Sequence, residues 1–95
     1  MKIEAIGKPE GCKLLRISAE LTRTSEGLLV LDSIRIRGDF FFVPEEAFEG
    51  IEQSLAGLPL ESVASAFDSL ATESGCLCAG IHGKGIAETI RKELV

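Results

Sequence analysis

Three thiols and one imidazole, those of Cys12, Cys76, Cys78 and His82, are the side chains of this sequence best suited to chemistry. Their number matches the Cys₃His ligand set of a tetrahedral zinc site. The spacing fits less well. Cys76-x-Cys78 is tighter than the usual Cys-x₂-Cys, and Cys12 lies far from both. Free cysteine is also among the most buried residue types, so packing is the first reading, ahead of a metal or cluster site and of a Cys76/Cys78 redox pair. His82 has no Ser, Cys or Asp partner at a readable catalytic spacing, so no triad and no catalytic residue is assigned.

Two further groups could meet ligands. Gly80-Ile81-His82-Gly83-Lys84-Gly85 opens the last predicted helix, and backbone N–H groups at Gly83, Lys84 and Gly85 could hold an anion there. The spacing is not that of a P-loop, which needs Gly-Lys followed by Ser or Thr, and a flexible connector is the simpler expectation. Glu45, Glu46, Glu49 and Glu52 make an acidic helix face. Paired carboxylates do acid–base work only in a pocket that shifts their pKa values, so this face is expected to be solvated.

The elements that must position these groups follow from hydrophobic period. From Cys12 to Leu21 the chain alternates, with Leu15, Ile17, Ala19 and Leu21 on one face, as in a half-buried strand. Thr22 to Gly27 reads as a hairpin turn, and Leu28 to Arg37 as the returning strand, with a bulge expected at Asp32-Ser33 where alternation blurs. Gly38-Asp39 breaks that strand. Pro44 suits the first turn of a helix with apolar residues Ala47, Phe48, Ile51 and Leu55, and Gly57 is its expected C-cap. A second helix carries Leu60, Val63, Ala64, Phe67, Leu70 and Ala71 on one face. Cys76 to Ile81 reads as a buried loop or third strand. The last helix starts at Lys84 or Gly85 and turns Ile86, Ile90 and Leu94 inward. Strands first and helices after define an α+β fold, a small antiparallel sheet with helices on one face.

Composition sets the outer bounds. The 95 residues suit one domain with one core, and hydrophobic residues make up 45% of them. A net charge of −5, no Trp or Tyr, and ten scattered basic residues argue against nucleic acid. The longest uncharged stretch, Ser74 to His82, is far too short to span a membrane, and the N-terminus has no signal-peptide run. An odd number of cysteines implies no disulfide framework, so the cytoplasm is the expected compartment.

Gly38-Asp39-Phe40-Phe41-Phe42 is the most distinctive segment. Neighbours along an extended chain face opposite ways, so three consecutive phenylalanines cannot all enter one core, and at least one is expected to face a partner. The stretch Ile34 to Leu60, with Gly-Asp-Phe-Phe after a strand, then Pro44-Glu45-Glu46-Ala47 and a Leu-x-Gly exit, resembles the C-terminal accessory domain of lipoate–protein ligases. In some microbes that domain is a separate small subunit. The likeness runs from about Gly11 to Phe67 and implies a fold shared with iron–sulfur scaffold and sulfur-transfer proteins. It also implies a non-catalytic role: docking on the ligase's catalytic subunit through Gly38, Asp39, Phe40, Phe41, Phe42 and Pro44, and enabling lipoyl-AMP formation. ATP and lipoate would then sit in the complex with that subunit, with no cofactor bound by this chain alone. The alternative is an iron–sulfur or sulfur-handling scaffold using Cys12, Cys76 and Cys78. Of the three cysteine positions such scaffolds have, Cys12 matches one. Gly38-Asp39 and Ile81-His82-Gly83 stand at the other two.

Overall fold

The computed structural model describes residues 1–94. Strands β1 (Lys2–Gly7), β2 (Leu15–Arg23) and β3 (Leu29–Gly38) form an antiparallel sheet in the order β1-β2-β3. A short strand β4 (Phe41–Val43) leads into helices α1 (Glu45–Leu55) and α2 (Leu60–Ser74). Strand β5 (Leu77–Ala79) returns to pair with β4 as a separate two-stranded ribbon, and helix α3 (Gly83–Glu93) follows. The α+β expectation, with helices on one face, holds.

Period two builds the core layer. Ile3 and Ala5, then Leu15, Ile17, Ala19 and Leu21, then Leu31, Ile34 and Ile36 all turn to the helix side and are buried. The helices answer with Phe48, Ile51 and Leu55 from α1, Leu60, Val63 and Phe67 from α2, and Ile86 and Ile90 from α3. The expected bulge is present. Glu20 pairs with Ser33 but Leu21 pairs with Leu31, so Asp32 is the extra residue and its carboxylate accepts from Thr22 Oγ1 at 2.6 Å.

Four expectations need correction. Lys2–Gly7 is a full strand that the reading of the sequence did not assign; its alternation ends in an Ile6 that is 57% exposed, which spoils the pattern. Pro44 is the extended N-cap of α1, not a residue of its first turn, a position where a missing N–H also costs nothing. Ala56 caps the other end, and Gly57, one residue later, gives its N–H to Leu31 O at 2.6 Å, tying the helix exit to β3. Finally, Cys76 to Ile81 does hold a strand and a buried Ile81, but Leu77–Ala79 is not buried: Leu77 is 68% exposed, because β5 pairs with β4 and no layer covers its outer side.

Candidate partner-binding face

Gly38 is where the chain leaves the main sheet. A Cβ there would collide with the Leu14 carbonyl oxygen, so only glycine permits this close crossing of β2. Asp39 N–H then donates to the same Leu14 oxygen at 3.0 Å and fixes the turn. From this point the three phenylalanines divide as alternation requires. Phe42 is buried and meets Phe48 edge-on with ring centroids 4.9 Å apart, and half-buried Phe40 lies 5.1 Å from the same ring. Phe41 points the opposite way and is 53% exposed.

The ribbon carries that exposure further. Val43 shares the face of Phe41, and the register sets Phe41 opposite Ala79 and Val43 opposite Leu77. Phe41, Val43 and Leu77 are thus three exposed apolar side chains on one small surface, with Ala79 beside them. Strands β4 and β5, distant in sequence, build it together. Of these residues Val43, Leu77 and Ala79 stood outside the contact set expected from the sequence, where Cys76-Leu77-Cys78-Ala79 looks like interior. For Val43 the signal was its place two residues from Phe41, on the same face of an extended chain; for Leu77 there was none, since its pairing with Val43 is long-range.

Behind the ribbon lies a groove of about 510 Å³ with Phe40, Phe42 and Phe48 in its walls and Arg35, Glu45 and Glu49 around it. Glu52 closes its inner end. It was expected to be solvated, but it is buried, accepts from Ile36 N–H at 2.6 Å and pairs with Arg37 Nη1 at 3.3 Å. The correction has a simple cause. One helical turn beyond Glu49, the side chain reaches the edge of β3 and satisfies a backbone donor that would otherwise be orphaned.

The cysteines and the glycine loop are engaged in the fold. His82 is the N-cap of α3: its Nδ1 accepts from Gly85 N–H at 3.0 Å, so Nε2 carries the proton and donates to Glu10 O at 3.0 Å. Both ring nitrogens are occupied. Cys12 is buried, and a Cβ on Gly85 would sit 2.5 Å from its sulfur, so that glycine makes room for the thiol. Cys78 is exposed, but its Sγ turns back to Ile81 O at 3.7 Å. Burial of the sulfur, then Asp68, Cys12 and Cys76, push its pKa up. Among the described residues, no group of three His, Cys, Asp or Glu side chains is placed to hold a metal ion. Gly83 N–H, one of the groups that could have held an anion, donates to Asp68 Oδ1 at 2.8 Å. Its missing side chain lets α3 approach α2, since a Cβ would collide with Ala64 O. Lys84 lies 4.0 Å from Glu88, one turn along α3.

Fold and site define a small α+β domain whose sheet and helices form one core and whose β4–β5 ribbon shows apolar residues outward. Among described residues, no helix is long and apolar enough to cross a membrane. No family model matches the chain, and no curated protein matches it. A solved structure does. It comes from an archaeal lipoylation system of Thermoplasma acidophilum, comprising a bi-partite lipoate protein ligase and its E2 lipoyl domain. The match has a TM-score of 0.70 and 20% identity and covers 95% of this chain and 94% of the other. At that identity, the likeness shows a shared fold along nearly the whole length of both chains.

Proposed function

We propose that this chain is the accessory component of a two-component lipoate–protein ligase, docking on the catalytic component and enabling it to adenylate lipoate. The observation that carries the reading is the exposed set Phe41, Val43 and Leu77, on a ribbon that begins at Gly38-Asp39-Phe40. Gly38, Asp39 and Pro44 shape the docking corner, Phe40 and Phe42 anchor it to Phe48, and Phe41 makes contact. The fold shared with a component of a lipoylation system supports the same reading. The chain's own role is positional. It holds the catalytic component in the conformation that brings lipoate and ATP together, and those ligands occupy that component. An iron–sulfur scaffold using Cys12, Cys76 and Cys78 is less well supported, because among the described residues no group of three His, Cys, Asp or Glu side chains is placed to hold a metal ion.

The test is reconstitution. A catalytic component lacking its accessory domain is mixed with lipoate, ATP and this chain, and lipoyl-AMP is measured. Activity should appear on addition of the wild-type chain and fall about 30-fold or more with Phe41→Ser/Leu77→Ser, the scale of a lost interface hot spot. Mass spectrometry of the same mixture checks the other role such a system offers. A lipoyl adduct on this chain would make it the acceptor and contradict the proposal, as would full activity without it.

A further inference from the structure

The two edges of the main sheet are finished differently, and the hydrogen bonds show how. Met1 exchanges both backbone bonds with Leu21, so the odd-numbered residues of β1 face β2 and Lys2, Glu4 and Ile6 direct their N–H and C=O groups outward. The same alternation carried across β2 puts Leu31, Ile34 and Ile36 on the outer edge of β3. Leu31 and Ile36 are covered. Leu31 bonds to Leu58 and Gly57, Ile36 N–H meets the Glu52 carboxylate, and Arg37 Nη1 donates to Ile36 O at 2.7 Å. Among the described residues, no hydrogen bond meets the outward groups of Lys2, Glu4 or Ile6. The β3 edge is capped at both sides of Ile34; the β1 edge is an open template along its length.

We infer that β1 pairs antiparallel with β1 of a second copy, joining two main sheets into one six-stranded sheet. Self-pairing has few registers, because outward residues must oppose outward residues. Centred on Glu4, it sets two carboxylates face to face, which like charge disfavours. Centred on Ala5, it sets Glu4 against Ile6. Centred on Ile3, it sets Lys2 opposite Glu4 twice, once on each side of the dyad, and brings the two Ile3 side chains together on the helix side. Lys2 and Glu4 are both exposed; Ser18 Oγ holds one oxygen of Glu4 at 2.9 Å and leaves the other for the partner's lysine. Charge complementarity therefore selects the Ile3-centred register. The ribbon sits where β3 ends and β2 begins, with Lys13 N–H donating to Gly80 O, so pairing through the β1 edge leaves two docking faces free.

The inference concerns the chain alone and does not depend on any ligase, so its failure and that of the proposed function are separable. Sedimentation velocity from about 1 to about 200 μM reads it directly, since self-association is driven by concentration. The wild-type chain should pass from a 10.2 kDa monomer to a species of twice that mass. Lys2→Glu and Glu4→Lys should each weaken the dimer by about tenfold or more, and the double exchange Lys2→Glu/Glu4→Lys should restore it. Glu4→Pro, which removes an outward N–H without touching the bonds to β2, should abolish it while circular dichroism stays unchanged. A monomer throughout overturns the inference. So does a dimer indifferent to the single reversals, or one the double exchange fails to rescue.

Discussion

His82, Glu52 and Cys78 show how one side chain's surroundings decide its role. His82 looked like a candidate ligand, yet it caps α3 through Nδ1 and holds the Glu10 carbonyl through Nε2. His82→Ala should therefore cost about 1 kcal/mol of stability in urea unfolding, while His82→Asn, which still caps, should cost clearly less. Equal losses would contradict the capping role. Glu52 is the only member of the Glu45-Glu46-Glu49-Glu52 face that is buried. Glu52→Ala strands the Ile36 N–H and should cost about 1–3 kcal/mol by the same measurement, whereas Glu49→Ala should be near neutral. The sequence could not separate those carboxylates, because their distinction lies in which one reaches the β3 edge. Cys78 carries a raised pKa from burial of its sulfur, with Asp68, Cys12 and Cys76 adding to it. A raised acid pKa means the neutral thiol is favoured in the fold. Any stability this gives is present below the unfolded value near 9.0 and declines as pH rises through and beyond it. Alkylation of Cys78 by iodoacetamide at neutral pH should accordingly run slower than for an unfolded-chain cysteine, despite its exposure. Reaction at the unfolded-chain rate would refute that.

Elements were legible where one period ran unbroken. Leu15-Ile17-Ala19-Leu21 and Leu60-Val63-Phe67 announced a strand and a helix that the structure contains, and blurred alternation at Asp32 marked a real bulge. Short elements were not legible. Strand β5 has three residues, too few to show a period, and its apolar composition implied burial that a ribbon without a covering layer does not supply. The candidate face was half visible for the same reason: three adjacent phenylalanines required one to turn outward, while Leu77 joins them only through a pairing across the chain. Between α2 and α3 the glycines of the loop serve packing. Gly83→Ala should force the helices apart at Ala64 and cost at least about 2 kcal/mol, read as a lowered urea midpoint. A variant as stable as the wild type would remove the close-approach account.

At the scale of the whole molecule, a sheet backed by three helices leaves an apolar β4–β5 ribbon exposed and a β1 edge uncapped, the two surfaces on which the proposals rest. A docking face and a folding core should respond differently to mutation. Exposed Leu77 contributes little to the core, so Leu77→Ser should leave thermal unfolding of the isolated chain within about 0.5 kcal/mol of wild type. Calorimetric titration of this chain into the catalytic component of a two-component lipoate–protein ligase tests the central claim most directly. The account predicts saturable binding by the wild-type chain and a Kd raised by about 30-fold or more in Leu77→Ser, a loss of about 2 kcal/mol. Binding that Leu77→Ser leaves unchanged, or no binding by the wild-type chain, would contradict it.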